Sequence, residues 1–254
     1  MTEKFNSDGV EIAYQQWGEG KPILLIHGFA SNMNVNWVDT GWIKTLTGVG
    51  YRVIALDNRG HGQSEKLYNI DQYQAPIMAD DAMRLLDYLA VPKAAVMGYS
   101  MGARISAFLT LQHPERVTCA VFAGLASRLV TGVGGADAIA EALEAPSAAN
   151  VENREARAFR LFADSTKSDL AALAACIRSS RVKIKEEALQ AISCPILIVA
   201  GELDDIAGEI EPLVKILPNA RGVVLPKRNH MNAVGDSVYK ASVLEFLSEH
   251  GDLW

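Results

Sequence analysis

Short apolar runs alternate with amphipathic stretches along the first half of the chain. The runs PILLIHG, YRVIAL and KAAVMG are almost continuously apolar, which is typical of strands that are buried on both faces. Between the second and third runs, PIMADDAMRLLDYLA carries apolar residues such as Met78, Leu85 and Leu89 at helical spacing. This repeated strand–helix–strand order predicts the α/β class, with a mostly parallel central sheet and helices on both faces.

The pattern changes between residues 125 and 185, where the chain is rich in alanine and mixed charges. No strand-like run occurs there, and Gly, Pro, Asn and Ser divide the segment into helix-length pieces. Afterwards CPILIVAG and RGVVLP resume the strand pattern, and VYKASVLEFLSEH predicts a closing helix. We therefore expect one core, formed by residues 1–124 and 186–254, with a helical cap insertion formed by residues 125–185.

The composition of the chain limits which binding partners and which cellular location we expect. The 254 residues carry a net charge of -6 and no basic block, so we expect no nucleic-acid partner. Cys119, Cys176 and Cys194 are far apart and fit reduced core thiols, and the N-terminal stretch has no signal-peptide core, so we expect a cytoplasmic protein. No apolar run reaches the roughly 18 residues of a membrane span. We expect no metal and no cofactor, and the sequence leaves open whether the chain forms a homo-oligomer.

The stretch VMGYSMGARIS places a serine between two glycines, where a predicted strand meets a predicted helix. At such a turn the apical Ser100 has a strained backbone and an exposed hydroxyl. A side chain at Gly98 or Gly102 would collide with the neighbouring strand or helix, which favours glycine at both positions. Free N–H groups at the start of the helix, among them that of Met101, favour negative charge nearby. Ser100 is therefore the candidate nucleophile.

A serine hydroxyl is a poor nucleophile at neutral pH and requires a base that a carboxylate orients. Both partners should follow later strands, because the carboxyl ends of parallel strands meet at one edge of the sheet. The run PILIVAGELDD offers Glu202, Asp204 and Asp205, and the run VVLPKRNHMN offers His230. The order along the chain is therefore serine, acid, histidine.

Together, the motifs ILLIHGFA, DNRGHGQS, GYSMG, GELDD and NHMNAVGD resemble those of the α/β-hydrolase-fold serine hydrolases, over nearly the whole chain. The resemblance is to esterase-like members with a small helical cap. It implies that the acid stands three residues after the glycine that ends its strand, which is Asp204, with Asp205 as the alternative. Asn229 stands where the family commonly has a glycine before the histidine, and asparagine tolerates left-handed backbone angles.

The same resemblance implies an oxyanion hole, the set of N–H donors that stabilises the negative oxygen of the reacting carbonyl. Its donors would be the backbone N–H groups of Phe29 and Met101, with Gly28 allowing the loop to approach closely. We expect His27 and His61 to hold their loops by hydrogen bonds rather than to transfer protons.

The expected reaction is hydrolysis of carboxylic esters with small or medium, largely neutral acyl groups, through an acyl-enzyme. Lactone hydrolysis, C–C bond hydrolysis, acyl transfer and perhydrolysis use the same triad and remain alternatives, as does a non-catalytic ligand receptor. Epoxide hydrolysis and dehalogenation are set aside, because family members that perform them carry an aspartate at the position of Ser100. We expect the substrate pocket to be lined by Gly28, Phe29, Trp37, Tyr99, Leu125, Leu129 and Met231.

Overall fold

The computed structural model describes residues 1–250, and within them eight strands form one sheet. The strand order across the sheet is β1-β2-β4-β3-β5-β6-β7-β8. The strands are β1 (Glu3–Ser7), β2 (Val10–Trp17), β3 (Lys21–Ile26), β4 (Tyr51–Leu56), β5 (Ala94–Tyr99), β6 (Val117–Ala123), β7 (Ile196–Gly201) and β8 (Ala220–Leu225).

Six neighbouring strands of this sheet, β4, β3, β5, β6, β7 and β8, are parallel to one another. At one edge β2 pairs with β4 in the antiparallel sense, and β1 pairs with β2 in the same way. The predicted mostly parallel sheet is therefore confirmed. The first strand was not predicted, because its sequence EKFNS is largely polar and only two of its residues are buried.

Ten α-helices lie within the described residues. They are α1 (Trp42–Thr47), α2 (Ala75–Tyr88), α3 (Met101–Gln112), α4 (Arg128–Thr131), α5 (Ala136–Glu144), α6 (Arg154–Ser165), α7 (Leu170–Ser179), α8 (Glu186–Leu189), α9 (Ile210–Ile216) and α10 (Ser237–His250). No helix within residues 1–250 combines the length and the apolar character that crossing a lipid bilayer requires.

Helices cover both faces of the sheet, and the alternation of side chains along each strand explains why. In β3, Ile23 and Leu25 join an apolar cluster that includes residues of α1 and α10. Leu24 and Ile26 point to the other face and join a cluster that includes residues of α2 and α3. Because both faces are buried, each central strand reads as a continuous apolar run rather than an alternating one.

The segment between β6 and β7 contains α4 to α8 and no strand, and all of this segment is described. Its helix α5 packs on both α6 and α7, and all three contribute residues to the same apolar cluster as α2 and α3. The division of the chain into a core and a cap at residues 125–185 stays a prediction. The last part of the predicted core, residues 251–254, lies outside the described residues.

Candidate active site

Ser100 occupies a sharp turn between the last residue of β5 and the first residue of α3. Its backbone angles are φ 57° and ψ -113°, in a region that residues with a side chain rarely adopt. The Ser100 N–H donates a hydrogen bond of 2.7 Å to the carbonyl oxygen of Ala123, at the end of β6. The strained turn predicted from the sequence is thus present, and a neighbouring strand holds it in place.

The two glycines that flank the turn permit very close backbone contacts. A β-carbon added at Gly98 would overlap the carbonyl oxygen of Gly102 and the hydroxyl of Ser106. A β-carbon at Gly102 would overlap the carbonyl oxygen of Ile26, the last residue of β3. Helix α3 can therefore start directly against β3 only because both positions lack a side chain.

The hydroxyl, the imidazole and the carboxylate named in the sequence analysis lie in one hydrogen-bonded row. His230 Nε2 is 2.9 Å from Ser100 Oγ, and His230 Nδ1 is 2.9 Å from Asp204 Oδ2. The buried Asp204 carboxylate also accepts hydrogen bonds from the backbone N–H groups of Ile206 and Ala207, at 3.0 and 2.9 Å. Because the carboxylate can only accept, Nδ1 carries a proton, and Nε2 faces the Ser100 hydroxyl.

Asp205, the alternative acid, is exposed and makes no hydrogen bond to His230 among the contacts of residues 1–250. A contact that the sequence did not predict is made by Tyr99, whose hydroxyl donates a 2.6 Å hydrogen bond to the carbonyl oxygen of His230. Burial raises the pKa of Tyr99 well above its usual value, so its hydroxyl stays protonated as a donor. The end of β5 thereby holds the loop that carries the histidine.

The loop after β3 approaches the same point. A β-carbon at Gly28 would stand 3.2 Å from the Tyr99 carbonyl oxygen and 3.4 Å from Ser100 Cβ, so the loop lies close to the nucleophile turn and a side chain there would crowd it. The Gly28 N–H donates to Asn36 Oδ1 at 3.1 Å, which fixes the loop from one side. Among residues 1–250, no acceptor engages the N–H groups of Phe29 and Met101, so both donors are available to a ligand oxygen.

His27 fixes the loop from the other side. Its Nδ1–H donates to the Gly28 carbonyl oxygen at 2.8 Å, and its Nε2 accepts from the N–H of Asn58 at 2.9 Å. Burial lowers the pKa of His27 to about 4 and that of the neighbouring His61 to about 3. Both imidazoles are therefore neutral near pH 7, as expected of histidines that brace loops.

Two cavities open beside Ser100. The larger has a volume of about 120 Å³ and the smaller about 30 Å³, and both touch Ser100, Phe29 and Phe159. The larger cavity is lined by Gly28, Phe29, Ser31, Val35, Asn36, Thr40, Tyr99, Ser100, Phe159, Phe162, His230, Met231 and Val234. The smaller cavity is lined by Phe29, Ser100, Met101, Arg104, Leu125, Val133, Phe159, Ile177, Ser180 and Arg181.

The predicted pocket residues divide between these walls and the core. Four of them line the larger cavity, and Leu125 lines the smaller one. Trp37 and Leu129 line neither, and both are fully buried. The Trp37 ring packs edge-to-face on Trp42 in the core, and Leu129 belongs to the apolar cluster under the helical segment. Apolar character alone does not distinguish a pocket wall from a core position.

Several wall residues were not among those predicted, notably Val35, Val234 and Arg104. Of these, only Arg104 could have been predicted as a wall residue from the sequence. It stands four residues after Ser100, which places it one turn further along α3 and on the same side of the helix. Val35 lies in a short helical turn and Val234 in a loop, and the position of both relative to Ser100 depends on the tertiary structure.

Comparison with known proteins agrees with this architecture. A family model described as alpha/beta hydrolase fold matches residues 21–133. The enol-lactonase structure from Burkholderia xenovorans LB400 superposes with a TM-score of 0.81 at 21% identity, covering 97% of this chain and 100% of that chain. This chain has the alpha/beta hydrolase fold. The esterase from Exiguobacterium antarcticum superposes with this chain at a TM-score of 0.82 and 21% identity, covering 98% of this chain and 100% of that chain.

Sequence similarity is concentrated in one segment. Over 95 residues this chain is 41% identical to a non-heme chloroperoxidase from Kitasatospora aureofaciens, and the match covers 37% of this chain and 33% of that protein. The chain thus spans about a third of the length of that relative, and the structural likeness at 21% identity is one of fold.

Proposed function

We propose that this protein is a hydrolase that cleaves carboxylic esters through an acyl-enzyme, with Ser100 as nucleophile, His230 as base and Asp204 as the orienting acid. The observation that carries the proposal is the hydrogen-bonded row in which His230 lies 2.9 Å from both the Ser100 hydroxyl and the Asp204 carboxylate. A hydroxyl with a neutral imidazole on one side and a cavity on the other is arranged for attack on a carbonyl.

The steps follow from this arrangement. His230 Nε2 takes the Ser100 proton while Oγ bonds to the ester carbonyl carbon, and the carbonyl oxygen becomes negative. The N–H groups of Phe29 and Met101 stabilise that oxygen. The imidazolium then gives its proton to the departing alcohol oxygen, which leaves the acyl group on Ser100. Water, deprotonated by the same imidazole, attacks the acyl carbon. The bond from that carbon to Ser100 Oγ then breaks, the imidazolium returns its proton to Oγ, and the carboxylic acid leaves.

The larger cavity supports a small or medium substrate with an apolar part. Phe159, Phe162, Met231 and Val234 are among its walls, and its volume is about 120 Å³. His230 also lines this cavity and must protonate the departing oxygen, so the leaving group fits on this side. The predicted cytoplasmic location is supported by Cys119, Cys176 and Cys194, which are unpaired thiols.

Ser100→Ala tests the nucleophile directly. We expect turnover of 4-nitrophenyl butyrate to fall by about 10⁴-fold or more, with unchanged thermal unfolding, because no other group can form the acyl-enzyme. A fluorophosphonate probe should label the wild type and the control Ser248→Ala, which changes an exposed serine of α10, but not Ser100→Ala. Wild-type protein that binds esters without labelling or turnover would instead support the non-catalytic receptor.

Lactone hydrolysis is the second candidate. A cyclic ester presents the same carbonyl to Ser100, and the fold is shared over 97% of the chain with a protein described as an enol-lactonase. C–C bond hydrolysis, acyl transfer and perhydrolysis use the same triad with another bond or acceptor. A panel of linear esters and lactones of graded length separates the first two by their kcat/KM values.

A further inference from the structure

The smaller cavity beside Ser100 differs from the larger one in its charge. Both touch Ser100, Phe29 and Phe159, so the two cavities meet at the candidate nucleophile. Only the smaller one is lined by arginines, Arg104 and Arg181, and its volume is about 30 Å³. A cavity needs roughly 10–15 Å³ to hold a water, so this one has room for a small polar group.

Arg104 is buried without an anionic partner. It lies on α3 one turn beyond Ser100, and 2% of its surface is exposed. Its guanidinium donates to the backbone carbonyl oxygens of Val182 and Arg128, and its other N–H groups have no acceptor among residues 1–250. A buried guanidinium that bonds only to neutral carbonyls retains its full positive charge in a weakly polar surrounding.

Arg181 brings a second positive charge to the same cavity. It follows α7 and donates to the carbonyl oxygen of Gly134, and no carboxylate of residues 1–250 lies within 4 Å of its guanidinium. Burial lowers its pKa, and nearby Glu155 opposes that effect without forming an ion pair. Burial and the charge of Arg181 together lower the pKa of Arg104 to about 10, so both side chains remain charged near pH 7.

Elsewhere this chain pairs its buried arginines with carboxylates. Arg59 makes two hydrogen bonds to Asp81, at 2.7 and 2.8 Å. Arg160 contacts Asp164 at 3.0 Å. Arg104 is at least as buried as these two and Arg181 is partly buried, yet neither makes such a contact within residues 1–250. The anion that would complete the pair can come from a ligand in the cavity.

We propose that the smaller cavity binds a carboxylate group on the acyl part of the substrate, so that this hydrolase acts on monoesters or lactones of dicarboxylic acids. A carboxylate is planar and small, and matches the fork of a guanidinium. The acyl side follows because the leaving group must face His230, and of the two cavities that touch Ser100 only the larger is lined by His230. This assignment rests on the proposed function and replaces the expectation of a largely neutral acyl group.

The spacing along α3 guides the choice of acyl length for a probe. Four residues separate Ser100 from Arg104, which corresponds to a rise of about 6 Å along a helix. A chain of roughly four to six carbons between and including the two carboxyl carbons spans such a distance. The glutaryl group, with five, is therefore the matched probe.

Binding is measured first in the Ser100→Ala background, which separates recognition from chemistry. By calorimetry we expect monomethyl glutarate to bind at least about tenfold more tightly than methyl pentanoate, which has the same length without the carboxylate. Adding Arg181→Gln should weaken binding of monomethyl glutarate by about 10- to 100-fold. Adding Arg104→Lys, which keeps the positive charge but not the planar fork of N–H donors, should weaken binding of monomethyl glutarate several-fold.

The control Arg178→Gln removes an arginine of α7 that pairs with Glu144 and lines neither cavity. This variant should leave binding of monomethyl glutarate unchanged.

Turnover then tests the same site in the active protein. The ratio of kcat/KM for 4-nitrophenyl hydrogen glutarate to that for 4-nitrophenyl pentanoate should exceed about ten, and Arg181→Gln should reduce this ratio mainly through KM. Equal binding of the two probes, or binding that Arg181→Gln and Arg104→Lys leave unchanged, overturns the carboxylate site. Arginine-dependent binding of monomethyl glutarate in a protein that neither labels with fluorophosphonate nor hydrolyses esters supports the site and rejects the proposed function.

Discussion

Two histidine side chains beneath the candidate active site are both buried and uncharged. His27 and His61 are fully buried, and their rings lie 5.2 Å apart. Protonating either one would place a charge where water cannot solvate it, which is why burial is the main cause of their low pKa values. The hydrogen bonds of neutral His27 connect the loop after β3 to the loop after β4, so the shape of the loop near Ser100 depends on its protonation state.

These two histidines should make the protein sensitive to acid. An unfolded histidine binds a proton near pH 6.5, whereas folded His27 does so only near pH 4, so the unfolded state holds more protons in between. The free energy of unfolding should therefore fall as pH drops below 6.5, by about 2 kcal/mol for each histidine at pH 5. Urea unfolding at pH 7.5, 6 and 5 measures this loss.

The variant His61→Gln should show a smaller loss of stability between pH 7.5 and pH 5 than the wild type, whatever its stability at pH 7.5. The control His250→Gln, at the end of α10, should keep the wild-type pH dependence. Equal unfolding free energies of the wild type at pH 7.5 and pH 5 would contradict the assignment of two buried neutral histidines.

Among the elements, β3, β5 and α3 form the part that presents Ser100. Strand β5 lies beside β3, and α3 starts against the end of β3 at Gly102. This close packing is what turns the chain sharply at Ser100 and exposes its hydroxyl. The same elements would separate if a side chain were inserted between them.

Gly102→Ala should therefore be strongly destabilising, by about 3 kcal/mol, because its methyl group would overlap the carbonyl oxygen of Ile26 in a backbone that cannot yield. The matched control is Gly134→Ala, since a β-carbon at Gly134 meets no atom within 4 Å. That variant should change the free energy of unfolding by about 0.5 kcal/mol or less. Similar urea midpoints for the two variants would show that the contact at Gly102 is not tight.

For the whole molecule, the decisive feature is that distant parts of the chain meet at one edge of the sheet. His230 and Ser100 are 130 positions apart, and His230 and Asp204 are 26 apart. Ser100 follows β5, Asp204 follows β7 and His230 follows β8. Because these strands are parallel, all three side chains stand at the same edge of the sheet. The contacts that join them require the complete fold.

Asp204→Asn should lower kcat on 4-nitrophenyl esters by about 10⁴-fold, because an amide cannot hold the imidazole with a proton on Nδ1 and an accepting Nε2. Asp205→Asn is the matched control, since the exposed Asp205 does not contact His230, and its kcat should stay within about threefold of the wild type. A large loss with Asp205→Asn and a small one with Asp204→Asn would reverse the assignment of the acid.

Much of the fold and of the candidate site could be predicted because the relevant signals are local. Buried parallel strands read as apolar runs, and Ser100 and His230 each follow such a run. The polar edge strand β1 gave no such signal. Trp37 and Leu129 were predicted to line the pocket, but an apolar side chain suits a core position equally well.

The amino-acid sequence by itself determined where the buried strands lie along the chain, the strained turn at Ser100 and the need for Gly98 and Gly102, because these depend on neighbouring residues and short-range sterics. Only the tertiary structure decided that Asp204 rather than Asp205 contacts His230, since adjacent residues after one strand differ only in the direction they face. It also decided that Arg104 and Arg181 share a cavity, because that contact depends on how the helical segment packs onto the sheet.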